Sequence, residues 1–379
     1  MGSAIPPGRL AEIVRVARAR TGVPAVAAGL FAGGEIEQAA DGPVTVGTPF
    51  RVASLTKWIT ASLAVTCLDL DAPTAAGPPP RALLSHTAGW RPESPEPLPK
   101  QAQGLWSYSN AGYWVVGEEC TRALGMPYAE AIRRRILEPL GMGSSSFERP
   151  DGAALGHIQE GDTGQHPVGR EHYPAQRHPG GGLWSTVEDM LRFASHQLGG
   201  PGPLSVGQRA ELLVPQARAL GGEYALGVFR RRLAGGIEVL EHSGSVAGFQ
   251  SLLLLVPAEE VALVVLTNSW RGNSLIQRVL RELGLEPETA AATGAEPEPG
   301  RYTLDGDEAL VERAAGGWRV SEAATDPVTG ARVELRPYPV EPLGDGVYGF
   351  AGGYLMAHRL DFPRPGIARA GWVALPRAA

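Results

Sequence analysis

With 379 residues, 43% of them hydrophobic and 20% charged, the chain carries enough apolar material for one large core or two modest ones. A formal charge of −6, spread without any Lys/Arg-dense run, excludes a chain that neutralises nucleic-acid phosphates or coats an anionic membrane, so small molecules are the expected partners. The 50 glycines and 33 prolines follow no fixed period, which excludes collagen-like and solenoid architectures.

Glu12 among Arg9, Arg15, Arg18 and Arg20 marks an amphipathic first helix rather than the apolar stretch of a signal peptide. No segment approaches the ~20 apolar residues a spanning helix needs. A cytoplasmic location is therefore expected, with a trimmed exported form left open. Residues 25–31 and 35–39 flank Gly33-Gly34 and predict a β-hairpin. Over residues 54–70, Leu55, Ile59, Leu63, Val65 and Leu68 recur at helical spacing, placing Ser54 at a helix N-terminus.

From Pro73 to about Leu220 the pattern is helices and long loops, including helices over residues 111–124 and 128–140, the latter ended by Gly141. Thr186 with Asp189 resembles a capping box opening a helix over 187–198. The period then changes: residues 224–231, 237–242, 249–256 and 261–267 predict antiparallel strands, and 274–283 a closing helix. Residues 286–300, rich in Pro, Ala, Thr and Glu, predict a linker, and 301–379 a small all-β appendage. Cys67 and Cys120 form no C-x-x-C pair and are expected to be small buried hydrophobes.

The chemistry begins at Lys57. Of 34 basic residues only Lys57 and Lys100 are lysines. Arginine cannot carry a proton to and fro at neutral pH, whereas a desolvated lysine amine can. A lysine three positions after a serine on a helix shares that serine's face, so Ser54-Leu-Thr-Lys57 places a nucleophile beside its base or proton relay. Tyr108-Ser109-Asn110 follows Trp106 and precedes a helix. A phenol near an ammonium can take the serine proton and return it to a leaving group, while Asn110 can orient the lysine. His242-Ser243-Gly244-Ser245 ends a predicted strand whose edge can pair with a substrate backbone, Gly244 permitting close approach. The backbone N–H groups of Ser54 and Ser245 would together make an oxyanion hole.

In order, Ser-x-x-Lys, Tyr-x-Asn and His-Ser-Gly resemble the signature of the serine β-lactamase-like, penicillin-binding-protein-type family: class C β-lactamases, DD-peptidases, D-aminopeptidases and esterase relatives. The stretches 83–89, 139–142 and 181–186 also resemble that family, and the similarity covers about residues 8–285. The resemblance implies an α+β, β-lactamase/transpeptidase-like fold: an antiparallel sheet flanked by helices over residues 1–285, with a helical subdomain at about 58–220. The segment 301–379 resembles the small antiparallel β-domain of esterase and D-aminopeptidase relatives. It further implies Ser54 as acylated nucleophile, Lys57 as its partner, and Tyr108 as general base and acid. Asn110 and His242 would complete the polar network, and Ser243, Gly244 and Ser245 would line the substrate; Lys57 and Tyr108 remain interchangeable as base.

Two departures narrow the activity. His242 stands where β-lactamases carry Lys, and the interval from Ser54 to Tyr108 is short for the family, so a dedicated β-lactamase is not expected. The expected activity is acyl-enzyme hydrolysis of esters or amides of small molecules or short peptides, without metal or organic cofactor. Acyl transfer to an amine by a biosynthetic transacylase or peptide cyclase is the first alternative, and an inactive binding or sensor protein the second. His157, His166, His172 and His178 match no metal-ligand spacing, and no Gly-x-Ser-x-Gly elbow or phosphate-cradling loop occurs. The loops 91–104 and 151–182 are expected to line the cleft. Ser85 and His86 are assigned a structural turn, and oligomeric state is not legible.

Overall fold

The computed structural model describes residues 8–159, 165–168, 173–233, 235–246, 248–285, 296–325, 332–344, 347–350, 359–370 and 373–378. Five longer helices frame the first part of the chain: α1 (Leu10–Thr21), α2 (Thr56–Cys67), α3 (Asn110–Leu124), α4 (Val187–Gln197) and α5 (Gly272–Glu282). An eight-stranded antiparallel sheet is built from both ends of that part. Its strands are β1 (Val26–Ala32), β2 (Glu35–Asp41), β3 (Ala217–Arg218), β4 (Glu223–Tyr224), β5 (Phe229–Arg232), β6 (Glu238–Val246), β7 (Phe249–Val256) and β8 (Val261–Thr267). They lie in the order β2-β1-β8-β7-β6-β5-β4-β3, so the first hairpin pairs with the last strand of this part. The fold is the α+β, β-lactamase/transpeptidase-like arrangement that the motifs imply, with a small all-β portion following it.

Both faces of the sheet are covered, which explains why β7 and β8 are buried throughout and carry unbroken apolar runs over residues 252–256 and 261–266 instead of alternating. On one face α1 and α5 bury Leu10, Ile13, Val14, Leu275, Ile276 and Val279 against Leu252, Leu254, Leu263 and Val265. On the other, α2, α3 and α4 gather around Trp58, Tyr113 and Phe193 to form the larger core. Helix α2 is buried along nearly its whole first three turns, from Thr56 to Ala64. Its Thr and Ser side chains return their hydrogen bonds to the preceding turn, Thr60 to the Thr56 carbonyl at 3.0 Å and Ser62 to Trp58 at 2.9 Å.

Several boundaries differ from those the sequence predicts. The single strand expected over 224–231 is two short strands divided by a turn, because Gly227 (φ 78°) presses against α2: a Cβ there would lie 2.8 Å from the Lys57 carbonyl oxygen. The helix expected over 128–140 is α-helical only to Ile132 and widens into a π-turn at Arg133–Leu137. Strand β6 runs on through His242–Ser245 instead of ending there. Thr186 does cap α4, its hydroxyl accepting from the Asp189 N–H at 3.2 Å.

Eight further strands follow: β9 (Gly300–Leu304), β10 (Asp307–Ala314), β11 (Gly317–Thr325), β12 (Arg332–Gly344), β13 (Val347–Phe350), β14 (Arg359–Arg364), β15 (Ile367–Ala370) and β16 (Val373–Pro376). They pair in chain order, and a bridge between Tyr302 and Arg377 joins the first to the end of the last, closing an up-and-down barrel. Of the segment expected as a linker, 286–295 lie outside the described residues, while Gly300 already opens β9.

The barrel docks on the segment leading to Tyr108. Leu98 and Ala102 are buried with barrel residues such as Tyr302, Ile367 and Leu375. The Ala374 N–H of β16 donates to the Ser107 hydroxyl at 3.2 Å. Arg369, paired inside the protein with Asp361, places its guanidinium 5.9 Å from the Trp106 ring.

Candidate active site

Ser54 sits in a 3-10 turn (Ala53–Leu55) that leads directly into α2. It is the one residue between Arg51 and Ala64 that is not fully buried. Its position is fixed from several sides. Ala53 before it adopts a left-handed conformation (φ 48°), unfavourable for a side-chain-bearing residue and held by the contacts around it. The Val52 carbonyl accepts from Ser251 of β7 at 2.8 Å, its N–H donates to Leu183 at 3.0 Å, and the Thr56 hydroxyl donates to the Ala53 carbonyl at 2.6 Å.

Lys57 is completely buried. Its Nζ donates to the Asn110 side-chain oxygen at 2.6 Å and to the Gly180 carbonyl, and lies 3.4 Å from Ser54 Oγ. Burial lowers its pKa to about 7, against a smaller opposing pull from Glu93. A neutral amine has two protons and one lone pair. In the neutral form, giving both protons to the Asn110 and Gly180 oxygens would leave the lone pair for Ser54 Oγ, the third neighbour of Nζ.

The Tyr108 phenol interacts with the Ser54 hydroxyl, and burial pushes its pKa well above the ordinary value despite that contact. The phenol is therefore protonated near neutrality, so it does not act as the phenolate base that could take the serine proton. The Tyr108 ring also faces the lysine, with Nζ 4.7 Å from its centroid.

His242 is likewise buried, and its pKa falls to about 3, chiefly by desolvation and then by the Lys57 charge. Its Nδ1 lies 2.6 Å from the Ser243 carbonyl, which can only accept, so Nδ1 carries the proton. Nε2 then accepts from the Tyr224 hydroxyl at 3.2 Å. The imidazole is neutral, whereas a lysine at this place would bring a second ammonium.

Ser243, Gly244 and Ser245 lie on β6 beyond the point where β5 stops pairing: the last β5–β6 partners are Phe229 and Glu241. On its other edge β6 remains paired with β7 through Val246. The edge of β6 that β5 leaves at Ser243–Ser245 thus has no strand beside it among the described residues. Gly244 has a purpose that the sequence reading missed. A Cβ on it would lie 2.4 Å from the Val52 carbonyl oxygen and 2.3 Å from Ser251 Oγ, so the glycine admits the chain segment that carries Ser54.

Four contributors escaped sequence reasoning: Gly180, whose carbonyl holds Lys57; Glu93, whose carboxylate accepts from the Asn110 amide; Arg177, 3.7 Å from Glu93; and His86. His86 Nδ1 accepts from the Ser109 N–H at 3.0 Å, its carbonyl accepts from Ser107 at 3.2 Å, and its ring lies 4.1 Å from that of Tyr108. The turn assigned to it thus braces the Tyr108 segment from beneath. Of the clustered histidines, His178 stacks between Phe147 and Tyr173, and His157 bonds the Asn268 carbonyl. His172 and the side chain of His166 lie outside the described residues.

The cysteines are closer than their sequence separation suggests. The Cys67 thiol, half-buried at the end of α2, lies near enough to buried Cys120 of α3 for each to shift the other's pKa.

Comparison with known proteins agrees with the motif pattern. The family model described as Beta-lactamase matches residues 10–286. Penicillin-binding protein 4 of Amycolatopsis lactamdurans is 24% identical over 226 residues, 51% of this chain and 56% of that protein. The chain thus spans little more than half the length of that curated relative. Among solved structures, SurE superposes with a TM-score of 0.73 at 21% identity over 97% of this chain and 98% of its own, and it has also been solved with D-Leu. A D-stereospecific amidohydrolase from Streptomyces sp. superposes with a TM-score of 0.62 at 21% identity, covering 73% of this chain and 98% of its own.

Proposed function

Because this chain belongs to the beta-lactamase family, whose enzymes are serine hydrolases, we propose that it forms an acyl-enzyme on Ser54 and cleaves amide or ester bonds beside D-configured residues of small or peptidic substrates. The observation that carries this is the completely buried amine of Lys57, 3.4 Å from Ser54 Oγ, whose pKa burial lowers to about 7. In this reading Lys57 takes the Ser54 proton as Oγ bonds to the acyl carbon. The backbone N–H groups of Ser54 and Ser245 receive the oxyanion, and Tyr108 gives its proton to the departing amine or alkoxide. Lys57 then returns the proton to the phenolate, and the same groups run in reverse when water opens the acyl-enzyme.

Three features support the substrate class. The free edge of β6 suits an extended acyl chain. Neutral His242 supplies no fixed positive charge for the carboxylate of a β-lactam. Of the similar folds, SurE has been solved with D-Leu and another is a D-stereospecific amidohydrolase.

Intact-mass labelling with a fluorophosphonate tests the nucleophile: wild type gains one adduct and Ser54→Ala none. A panel of D- and L-amino acid p-nitroanilides then tests the substrate class. Equal turnover of both enantiomers would overturn the stereochemical part. Adding a nucleophilic amine reads out whether aminolysis displaces hydrolysis, the mark of a transacylase.

A further inference from the structure

We propose that Glu93 is a positioning residue for the Ser54–Lys57 pair: its carboxylate, steadied by Arg177, fixes which way the Asn110 amide points and sets a negative charge behind the Lys57 amine. The kinetic part of this proposal rests on the base role assigned to Lys57 above.

The geometry begins with the backbone. Pro92, immediately before Glu93, offers its carbonyl to the first N–H groups of α3, accepting from Asn110 at 2.7 Å and Ala111 at 3.2 Å. The Ser109 hydroxyl donates to the Arg91 carbonyl at 2.7 Å. The segment 91–93 is thereby seated on the N-terminus of α3, and the side chain of Glu93 arrives beside that of Asn110.

An amide side chain presents a donor at one end and an acceptor at the other, and either orientation fits the same space. Here the ends are distinguished. The Asn110 Nδ2 donates to Glu93 Oε1, a carboxylate that can only accept. Oδ1 must then face Lys57, where it receives the Nζ proton at 2.6 Å. Without an acceptor at position 93, only the Lys57 proton would distinguish the two ends of the amide, and its NH2 could turn towards the amine and disturb the contact with Ser54.

The charge acts in the same direction. Two histidines face Lys57, His86 and His242, and burial holds both neutral. The Tyr108 and Tyr113 rings lie at 4.7 and 5.2 Å, and burial keeps both phenols protonated. Among the described residues, Glu93 is the acidic group whose charge acts on the amine, favouring its protonated form against desolvation. On its far side Glu93 faces the Arg177 guanidinium at 3.7 Å, which itself lies 5.0 Å from the Trp114 ring.

The composition offers a direct measurement, since Lys57 and Lys100 are the only lysines. In protein labelled with [13Cε]lysine, with Lys100→Arg for assignment, one NMR signal reports the protonation of Lys57 without any turnover. Wild type should titrate near 7, leaving about one tenth of the amine neutral at pH 6. In Glu93→Gln the midpoint should move down, at least roughly doubling that neutral fraction. Gln keeps an acceptor for Asn110, so its plateau kcat/KM on p-nitrophenyl acetate should stay within about threefold of wild type, whereas Glu93→Ala should lose about tenfold.

An unmoved Lys57 midpoint in Glu93→Gln, or equal kinetic loss in both variants, would overturn the assignment. A wild-type midpoint near 10 would instead sink the base role of Lys57, while the difference between wild type and Glu93→Gln would still test Glu93. The Gln variant, nearly isosteric, keeps the proposal testable if the Ala variant does not fold.

Discussion

Lys57 and Gly180 are joined by a hydrogen bond from the lysine amine to a backbone carbonyl, across 123 positions of sequence. The loop bearing that carbonyl is pinned in turn, since the Thr60 hydroxyl of α2 interacts with the Pro179 carbonyl at 2.7 Å. Helix α2 therefore positions the acceptor that directs its own lysine.

This burial has a price in stability that depends on pH. The unfolded chain keeps Lys57 protonated up to about pH 10.4, while the folded chain releases the proton at about 7. Between these values the unfolded state binds more protons, so stability rises with pH across that window. Thermal unfolding from pH 7 to 9 should show this rise in wild type relative to Lys57→Met, which has no proton to lose here. Parallel curves would contradict the burial of a neutral amine.

If Tyr108 serves as the acid, its importance depends on the leaving group. Tyr108→Phe should lose roughly 100-fold or more on an anilide, whose nitrogen must be protonated to depart. On a p-nitrophenyl ester, whose phenolate leaves unaided, the loss should stay below about tenfold. Steady-state kcat/KM for the two substrates decides it, and equal losses would assign Tyr108 to the serine proton instead.

Gly244→Ala should harm the fold and the site together. The added methyl meets a backbone carbonyl and Ser251, neither of which is a flexible side-chain end. Overpacking of this kind costs about 1–3 kcal/mol. A lowered denaturation midpoint together with slowed fluorophosphonate labelling is the expected result.

The two thiols should differ in reactivity. Contact with Cys120 lowers the Cys67 pKa, while the same contact and burial raise that of Cys120. Native protein should therefore titrate one fast thiol with Ellman's reagent, lost in Cys67→Ser and retained in Cys120→Ser.

What the sequence discloses is mostly what is local. Ser54 and Lys57 are one helical turn apart, so their adjacency follows from the helix alone, and the apolar runs of β7 and β8 announce buried strands with correct ends. His242–Ser245 reads as a strand end because Ser and Gly have little intrinsic strand preference. Pairing with β7 overrides that preference. The specific roles of Glu93, Gly180 and His86 are hidden for a different reason. Each comes from a loop, and its side chain or carbonyl acquires meaning only when distant segments are packed together. The contact of Cys67 with Cys120 is hidden likewise, since it follows from the crossing of α2 and α3.

The bond from Ala374 to Ser107 ties the last strand of the barrel, β16, to the residue before Tyr108. A barrel grafted from a relative would meet a loop shaped for another partner, so a workable exchange has to carry residues 98–107 along with it. The natural unit of recombination in this protein is thus discontinuous: a short piece from the middle of the catalytic part travels with the C-terminal strands, and a cut made at the interdomain segment alone divides a structural whole.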